Sequence, residues 1–195
     1  MKVLFVNACI RDEASRTLEL CCDYLEKLKR HKSDCQITEL KLNDMNLIPL
    51  DKELLKKRDE LGKNKSFDDP GFDLANQFID ADHIVIGAPY WDFAFPAKLK
   101  IYLERCSVTG LTFIYNEKGI PEGQCKAESL TYITTAGGVI GDFNFGYDYI
   151  KGLCVLFGIK KTYFAAAEKL DIIGNDVEAL MAKGKEEITK IVRAM

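Results

Sequence analysis

Five short apolar runs alternate with longer amphipathic segments along this chain. The runs predict strands over residues 2–6, 36–42, 83–88, 129–135 and 161–167. The segments between them have helical spacing and predict helices over residues 15–30, 51–61, 70–81, 96–105, 148–157 and 176–194. Because strand and helix alternate without a linker, we expect a single domain over residues 1–195. Its fold class is α/β, a doubly wound five-stranded parallel sheet with helices on both faces.

Two local signals refine this pattern. Residues 112–115 and 119–123 predict a hairpin insert, with Asn116 and Gly119 in its turn. Gly158 stands where a glycine ends the predicted fifth helix.

Three loops follow predicted strands and leave them at their carboxyl ends: residues 7–17, 88–95 and 135–142. Open α/β sheets bind ligands beyond this edge. We therefore expect the three loops to meet there and to form one binding site.

The central loop is the most informative. The buried run ends in a proline, three aromatic residues and an aspartate: Pro89, Tyr90, Trp91, Asp92 and Phe93. Flat apolar rings beside free backbone amides suit a flat heteroaromatic ligand with polar edges. This loop predicts a flavin.

The two outer loops carry weaker signals. Ser15, Arg16 and Thr17 stand where a helix begins, and hydroxyls, free amides and a guanidinium there would favour a phosphate. Ser15 could instead only cap the helix. Gly137 and Gly138 let backbone approach a ligand closely, or simply form a turn. Their expected position on one edge favours the ligand-binding interpretation of all three loops.

Composition narrows the functional classes. The chain has 195 residues, of which 47% are hydrophobic and 29% charged, and a net charge of −3, which is too small to indicate nucleic-acid binding. No signal peptide and no apolar run of membrane-spanning length is visible. Seven irregularly placed cysteines predict reduced thiols in a cytoplasmic protein. With only His31 and His83 and no Cys-x-x-Cys pair, no metal site is predicted.

Several segments together resemble the FMN-dependent NADH azoreductases and NAD(P)H quinone reductases, which have a flavodoxin-like fold. The resemblance extends from the first strand to the region of Gly158. Its most specific part is the central loop with the helix that follows. The segments that carry it are residues 3–6, 15–17, 88–93, 96–100, 110–113 with Tyr115, and 137–138.

The resemblance implies FMN as cofactor and assigns it to the three loops. Ser15, Arg16 and Thr17 would hold the phosphate, with Cys9 beside them. Residues 89–93 would bracket the isoalloxazine ring, with backbone amides near Asp92 directed at its N5 and O4 edge. The pyrimidine end would meet three further residues: Thr135, Gly137 and Gly138.

The resemblance also implies an activity and a partner. NADH or NADPH would reduce FMN by hydride transfer, and two electrons would then pass to quinones, azo or nitro aromatics by ping-pong turnover. The family forms homodimers with a shared active site, which Tyr115 would reach from the hairpin insert. Water or Tyr115 would supply the proton.

Three positions depart from the family pattern. Cys9 stands where serine is common, Ala136 where some members have arginine or another polar residue, and Ile140 where some azoreductases have histidine. The first change would weaken the phosphate contact, and the other two would alter the pocket above the flavin. The acceptor and the preference between NADH and NADPH are left open.

Rival interpretations account for fewer residues. Small tyrosine phosphatases place five residues between their cysteine and arginine, whereas six separate Cys9 from Arg16. A flavodoxin-type electron carrier with a protein partner is usually strongly acidic, unlike this chain. A dinucleotide-binding Rossmann protein needs G-x-G-x-x-G after the first strand, and that motif is absent.

Overall fold

A computed structural model describes all residues, 1–195. Seven strands run as follows: β1 Lys2–Asn7, β2 Gln36–Lys41, β3 His83–Gly87, β4 Phe113–Tyr115, β5 Pro121–Gly123, β6 Ser129–Thr135 and β7 Lys161–Ala167. Six helices accompany them: α1 Arg16–His31, α2 Lys52–Lys63, α3 Asp73–Asp80, α4 Ala97–Cys106, α5 Phe145–Phe157 and α6 Val177–Arg193. No helix combines the length and the apolar character that crossing a membrane requires.

The main sheet has five parallel strands in the order β2-β1-β3-β6-β7. The predicted α/β doubly wound, flavodoxin-like architecture is confirmed. The central strand β3 is buried along its whole length, as expected for a strand covered on both faces. The chain leaves β1 toward β2 on one side and returns to β3 on the other. The boundary between β1 and β3 is therefore the switch point, where ligands bind in such sheets.

Helices cover both faces of the sheet and bury two separate cores. On one face, α1 and α6 contribute Leu20, Tyr24 and Ile188 to a cluster of 15 buried residues. On the other, α3, α4 and α5 contribute to a cluster of 20 that includes Phe78 and Tyr102. This layering fixes the three strands whose loops form the candidate site.

Most predicted boundaries hold within a few residues, and the largest differences concern the starts of α5 and α3. Helix α5 begins at Phe145, three residues before the predicted start, because the Asn144 side chain accepts a hydrogen bond from the Tyr147 N–H and caps it. A 3-10 turn at Pro70–Phe72 precedes α3, which begins at Asp73 rather than at 70. The predicted hairpin is confirmed as β4 paired antiparallel with β5.

Candidate functional site

A cleft of about 270 Å³ opens at the carboxyl edge of β1, β3 and β6. All three loops expected to meet at this edge contribute to it, and the segment after β7 contributes as well. Its lining consists of Ile10, Arg11, Ala14, Ser15, Arg16, Thr17, Pro89, Tyr90, Trp91, Thr135, Ala136, Gly137, Leu170 and Asp171.

A larger groove of about 680 Å³ lies near the amino end of β1, between β2 and α3. Its lining includes Lys2, Gln36 and Asn76, and no aromatic side chain takes part. It stands at the edge where open sheets do not place their ligands. The smaller cleft is therefore the better candidate.

One end of the cleft is the amino terminus of α1. Ser15 caps the helix, because its Oγ accepts a 3.2 Å hydrogen bond from the Leu18 N–H. The backbone N–H groups of Arg16 and Thr17 open the helix and have no acceptor within it. The Thr17 and Thr135 hydroxyls share a 2.6 Å hydrogen bond, which ties α1 to the end of β6. Free amides and the helix dipole make this end suitable for an anion.

Arg16 reaches across the cleft. Its Nη1 donates to Asp171 Oδ1 at 2.8 Å and lies 3.4 Å from the Leu170 carbonyl oxygen. Sequence reasoning missed Asp171 and Leu170, since they follow the fifth strand of the sheet and carry no motif.

The central loop forms a tight two-residue turn. Asp92 and Phe93 have φ of 51° and 64°, and the Ala94 N–H donates to the Trp91 carbonyl at 2.7 Å. Positive φ at two successive residues that are not glycine is costly and is found where the surroundings impose it, often at functional sites. The N–H groups of Asp92 and Phe93 donate to no acceptor within the chain. The loop is held against β6 by the Tyr90 N–H, which donates to the Thr135 carbonyl at 3.0 Å.

Aromatic rings gather around this turn. Phe93 packs against Phe143 with ring centroids 5.4 Å apart, and against Phe145 at 6.5 Å. The Tyr90 hydroxyl donates to the Phe143 carbonyl at 2.9 Å. All three phenylalanines are more than half exposed. Sequence reasoning missed Phe143 and Phe145, and the cap signal of Asn144 could have placed the start of α5 beside them.

The loop after β6 packs on the segment after β7. The N–H groups of Lys169 and Asp171 donate to the carbonyls of Gly138 and Gly137 at 2.8 and 3.0 Å. A Cβ atom at Gly137 would lie 2.3 Å from Asp171 Oδ2. Glycine at 137 therefore leaves room for the Asp171 side chain. The contact between the Gly137 backbone and a ligand that the sequence predicts stays a prediction.

Cys9 lies below the cleft rather than in its lining. It is 3% exposed, its N–H donates to Asn7 Oδ1 at 2.9 Å, and its thiol faces the Gly87 carbonyl at 3.8 Å. A hydrogen bond from the Cys21 thiol lowers the pKa of Cys9, while burial raises the pKa of Cys21. A nucleophilic role as in the phosphatases needs a thiol in the lining of the phosphate site, and this one lies outside the lining of the cleft.

Tyr115 stands apart from the cleft on β4. It is 57% exposed, and its ring lies edge-on to Phe113 at 5.5 Å. Of the residues predicted from the sequence, the structure brings eight together in the cleft: Ser15, Arg16, Thr17, Pro89, Tyr90, Trp91, Thr135 and Gly137. Those outside its lining are Cys9, Asp92, Phe93, Gly138 and Tyr115. The binding or catalytic roles of all thirteen stay predictions.

Comparison with known proteins gives full-length matches. A family model described as the flavodoxin-like fold matches residues 1–192. The chain is 35% identical over 193 residues to the FMN-dependent NADH:quinone oxidoreductase of Lachnoclostridium phytofermentans, with 95% of each chain covered. It is 33% identical over 199 residues to the enzyme of the same name from Clostridium perfringens, with 98% of each covered.

Solved structures agree on the fold. An azoreductase from Bacillus anthracis str. Sterne superposes with a TM-score of 0.89, 24% identity and full coverage of both chains. An FMN-dependent NADH-azoreductase from Bacillus anthracis str. Ames Ancestor, solved in complex with FMN, gives 0.85 at 21% identity, covering 99% of this chain and 98% of that one.

Proposed function

We propose that this chain, which belongs to the flavodoxin-like fold family, is an FMN-dependent NADH:quinone oxidoreductase. Relatives of that name match it over nearly their whole length. The observation that carries the proposal is the cleft at the switch point. It combines a helix amino terminus at one end with an aromatic turn at the other, and these suit the phosphate and the ring of FMN.

The cofactor would lie along the cleft. The N–H groups of Arg16 and Thr17, which have no acceptor in α1, would bind the phosphate together with the Ser15 hydroxyl. Cys9 would support this loop from below through its hydrogen bond to Asn7. The remaining contacts fall to the other two loops: Pro89, Tyr90, Trp91, Asp92 and Phe93 at the ring, and Thr135, Gly137 and Gly138 at its pyrimidine end.

FMN, when bound, supplies the chemistry of accepting a hydride from NADH and delivering two electrons to a second substrate. The protein's part is to orient the flavin ring and the acceptor and to exclude water. The free N–H groups of Asp92 and Phe93 would donate to the polar edge of the ring, and the exposed rings of Phe143 and Phe145 would cover a flat acceptor. Quinones are the proposed main acceptors, with azo and nitro aromatics as further substrates.

Tyr115 is proposed to supply a proton to the reduced acceptor from the hairpin insert of a second protomer, in a homodimer that shares its active sites. Its 57% exposure leaves the hydroxyl available to such a partner. The Tyr115→Phe substitution should lower kcat with a quinone about 10²-fold, the low end of general acid catalysis. Reduction of ferricyanide, which takes up no proton, is the control and should be unchanged. An equal loss with both acceptors would contradict the role.

Two further proposals concern the whole chain. Residues 1–195 act as a single domain, and the family model that spans residues 1–192 supports this. The protein works in the cytoplasm, where its seven free cysteines would stay reduced.

An anaerobic absorbance titration of FMN-loaded protein tests the proposal. NADH should bleach the bound flavin rapidly, with NADPH run alongside to rank the two donors, and a quinone should restore the colour. Bound flavin that ignores both donors would contradict the reductase and indicate an electron carrier with a protein partner.

A further inference from the structure

The ion pair between Arg16 and Asp171 joins two elements on opposite sides of the cleft. Arg16 opens α1, whereas Asp171 follows β7, 155 residues later in the chain. Both side chains line the same cleft. The guanidinium that the sequence assigns to a phosphate is thus bound to a carboxylate of the protein itself.

The position of Asp171 is fixed by the backbone around it. Its N–H donates to the Gly137 carbonyl at 3.0 Å, and the N–H of Leu170 donates to the Ala136 carbonyl at 3.2 Å. The carboxylate lies over Gly137, where a Cβ atom would stand 2.3 Å from Oδ2. The absence of a side chain at 137 therefore admits the carboxylate directly beside Arg16.

A carboxylate and a phosphate make the same demand on an arginine. The planar guanidinium binds a phosphate best through two parallel N–H donors, and here its Nη1 is already bound to Asp171 Oδ1, so the two anions compete for this nitrogen. A carboxylate beside a bound phosphate also repels it.

We propose that Asp171 competes with the phosphate of FMN for Arg16, and so selectively weakens the binding of phosphorylated flavin. This inference rests on the proposed FMN cofactor. Asp171 is a positioning residue: it holds Arg16 across the cleft until a phosphate displaces it. The same competition lets FMN leave more easily than an unopposed arginine would allow.

The size of the effect follows from exposure. The side chains of Arg16 and Asp171 are 43% and 73% exposed, so solvent screens their attraction. Exposed ion pairs contribute about 0.2–1 kcal/mol. At 1.4 kcal/mol per tenfold, the loss of the competing carboxylate should tighten FMN binding about 1.4- to fivefold.

The test compares two ligands and two carboxylates. Dissociation constants for FMN and for riboflavin, which lacks the phosphate, are measured by quenching of flavin fluorescence. The variants are Asp171→Asn and Glu13→Gln, the latter an exposed carboxylate in the 3-10 turn before α1 that makes no ion pair. Asp171→Asn should tighten FMN binding about 1.4- to fivefold and leave riboflavin binding unchanged, and Glu13→Gln should give a smaller change in FMN binding. In an Arg16→Gln background the gain from Asp171→Asn should shrink.

Each other outcome overturns the inference. Weaker or unchanged FMN binding in Asp171→Asn would show that the carboxylate does not compete. An equal change for riboflavin would show that Asp171 acts on another part of the flavin. If the wild-type protein binds FMN and Asp171→Asn gives either of these results, the proposed cofactor stands and only the competition is overturned. If the wild-type protein binds neither flavin, the proposed cofactor and the competition are both overturned.

Discussion

The two ends of β3 differ in how their polar groups are satisfied. At the amino end, His83 is 1% exposed and both of its ring nitrogens have partners. Nε2 lies 2.9 Å from the Tyr24 hydroxyl, and Nδ1 lies 2.8 Å from Ser129 Oγ. The Tyr24 hydroxyl also contacts Thr131 Oγ1 at 3.0 Å. The His83 ring is therefore part of a closed network and has no nitrogen left for a ligand.

The carboxyl end of the same strand has the opposite character. Two backbone N–H groups in the turn after β3 have no acceptor, and the neighbouring rings of Phe93 and Phe143 are more than half exposed. The turn also holds positive φ at Asp92 and Phe93. A perturbed histidine therefore belongs to the packed structure at one end, while free donors, exposed rings and backbone strain mark the candidate site at the other.

The largest effect that follows from this comparison is a loss of stability in acid. Burial lowers the pKa of His83 from 6.5 to about 4. Below pH 6.5 the unfolded chain takes up a proton there, and the folded protein does so only near pH 4. The free energy of unfolding should therefore fall as the pH drops from 6.5 to 4, by about 3 kcal/mol from this residue. Urea unfolding at several pH values measures it.

Two histidine variants sharpen this test. His83→Gln should flatten the dependence between pH 6.5 and 4, whereas His31→Gln, at an exposed position near the end of α1, should leave it in place. A slope that survives in His83→Gln would assign the acid sensitivity to other groups.

The next effect concerns the carboxyl end. Phe93→Asn keeps a residue that tolerates positive φ and removes the ring that contacts Phe143. We expect kcat/KM for a quinone to fall about two- to tenfold, since aromatic pairs contribute about 0.5–1.5 kcal/mol. Unfolding should change by only about 0.5 kcal/mol, as is usual for exposed positions. Steady-state kinetics measure the effect on kcat/KM, and urea unfolding measures the effect on stability.

An exposed apolar residue elsewhere is the control. Ile173 is fully exposed in the segment that precedes α6, outside the lining of the cleft. Ile173→Ser should alter neither quinone kinetics nor stability. If Phe93→Asn lowers the free energy of unfolding as much as a core substitution does, the contrast between the two ends of β3 fails.

The sequence was sufficient to predict the sheet because each of its strands has a recognisable apolar run of its own. The apolar runs predicted the five parallel strands, and the aromatic loop after β3 predicted the edge that carries the site. Asp171 could not be found this way. Its approach to Arg16 depends on the packing of α1 and on the place of β7 beside β6, and pairing 155 residues apart leaves no local pattern.

Cys9 shows the same limit at a single position. The sequence places it in the first loop, beside Arg16 and Thr17, but whether its side chain enters the cleft depends on the direction the chain takes after β1. The Cys9 N–H is held by Asn7 Oδ1, and its thiol faces Gly87. Adjacency along the chain therefore did not reveal that Cys9 lies outside the lining of the cleft, and its contact with a ligand stays a prediction.

The smallest expected effect is that of Cys9→Ser. The Cys9 side chain is buried beneath the cleft, so a hydroxyl in its place would still face the Gly87 carbonyl rather than a phosphate. The FMN dissociation constant should change less than about twofold, that is, by under about 0.4 kcal/mol. Fluorescence titration measures it, with Ser15→Ala as the comparison, because that change removes both the cap of α1 and a hydroxyl that lines the cleft. Tighter FMN binding by tenfold in Cys9→Ser would show that position 9 contacts the phosphate directly. The ligand-binding residues after β1 would then include a buried side chain that does not line the cleft.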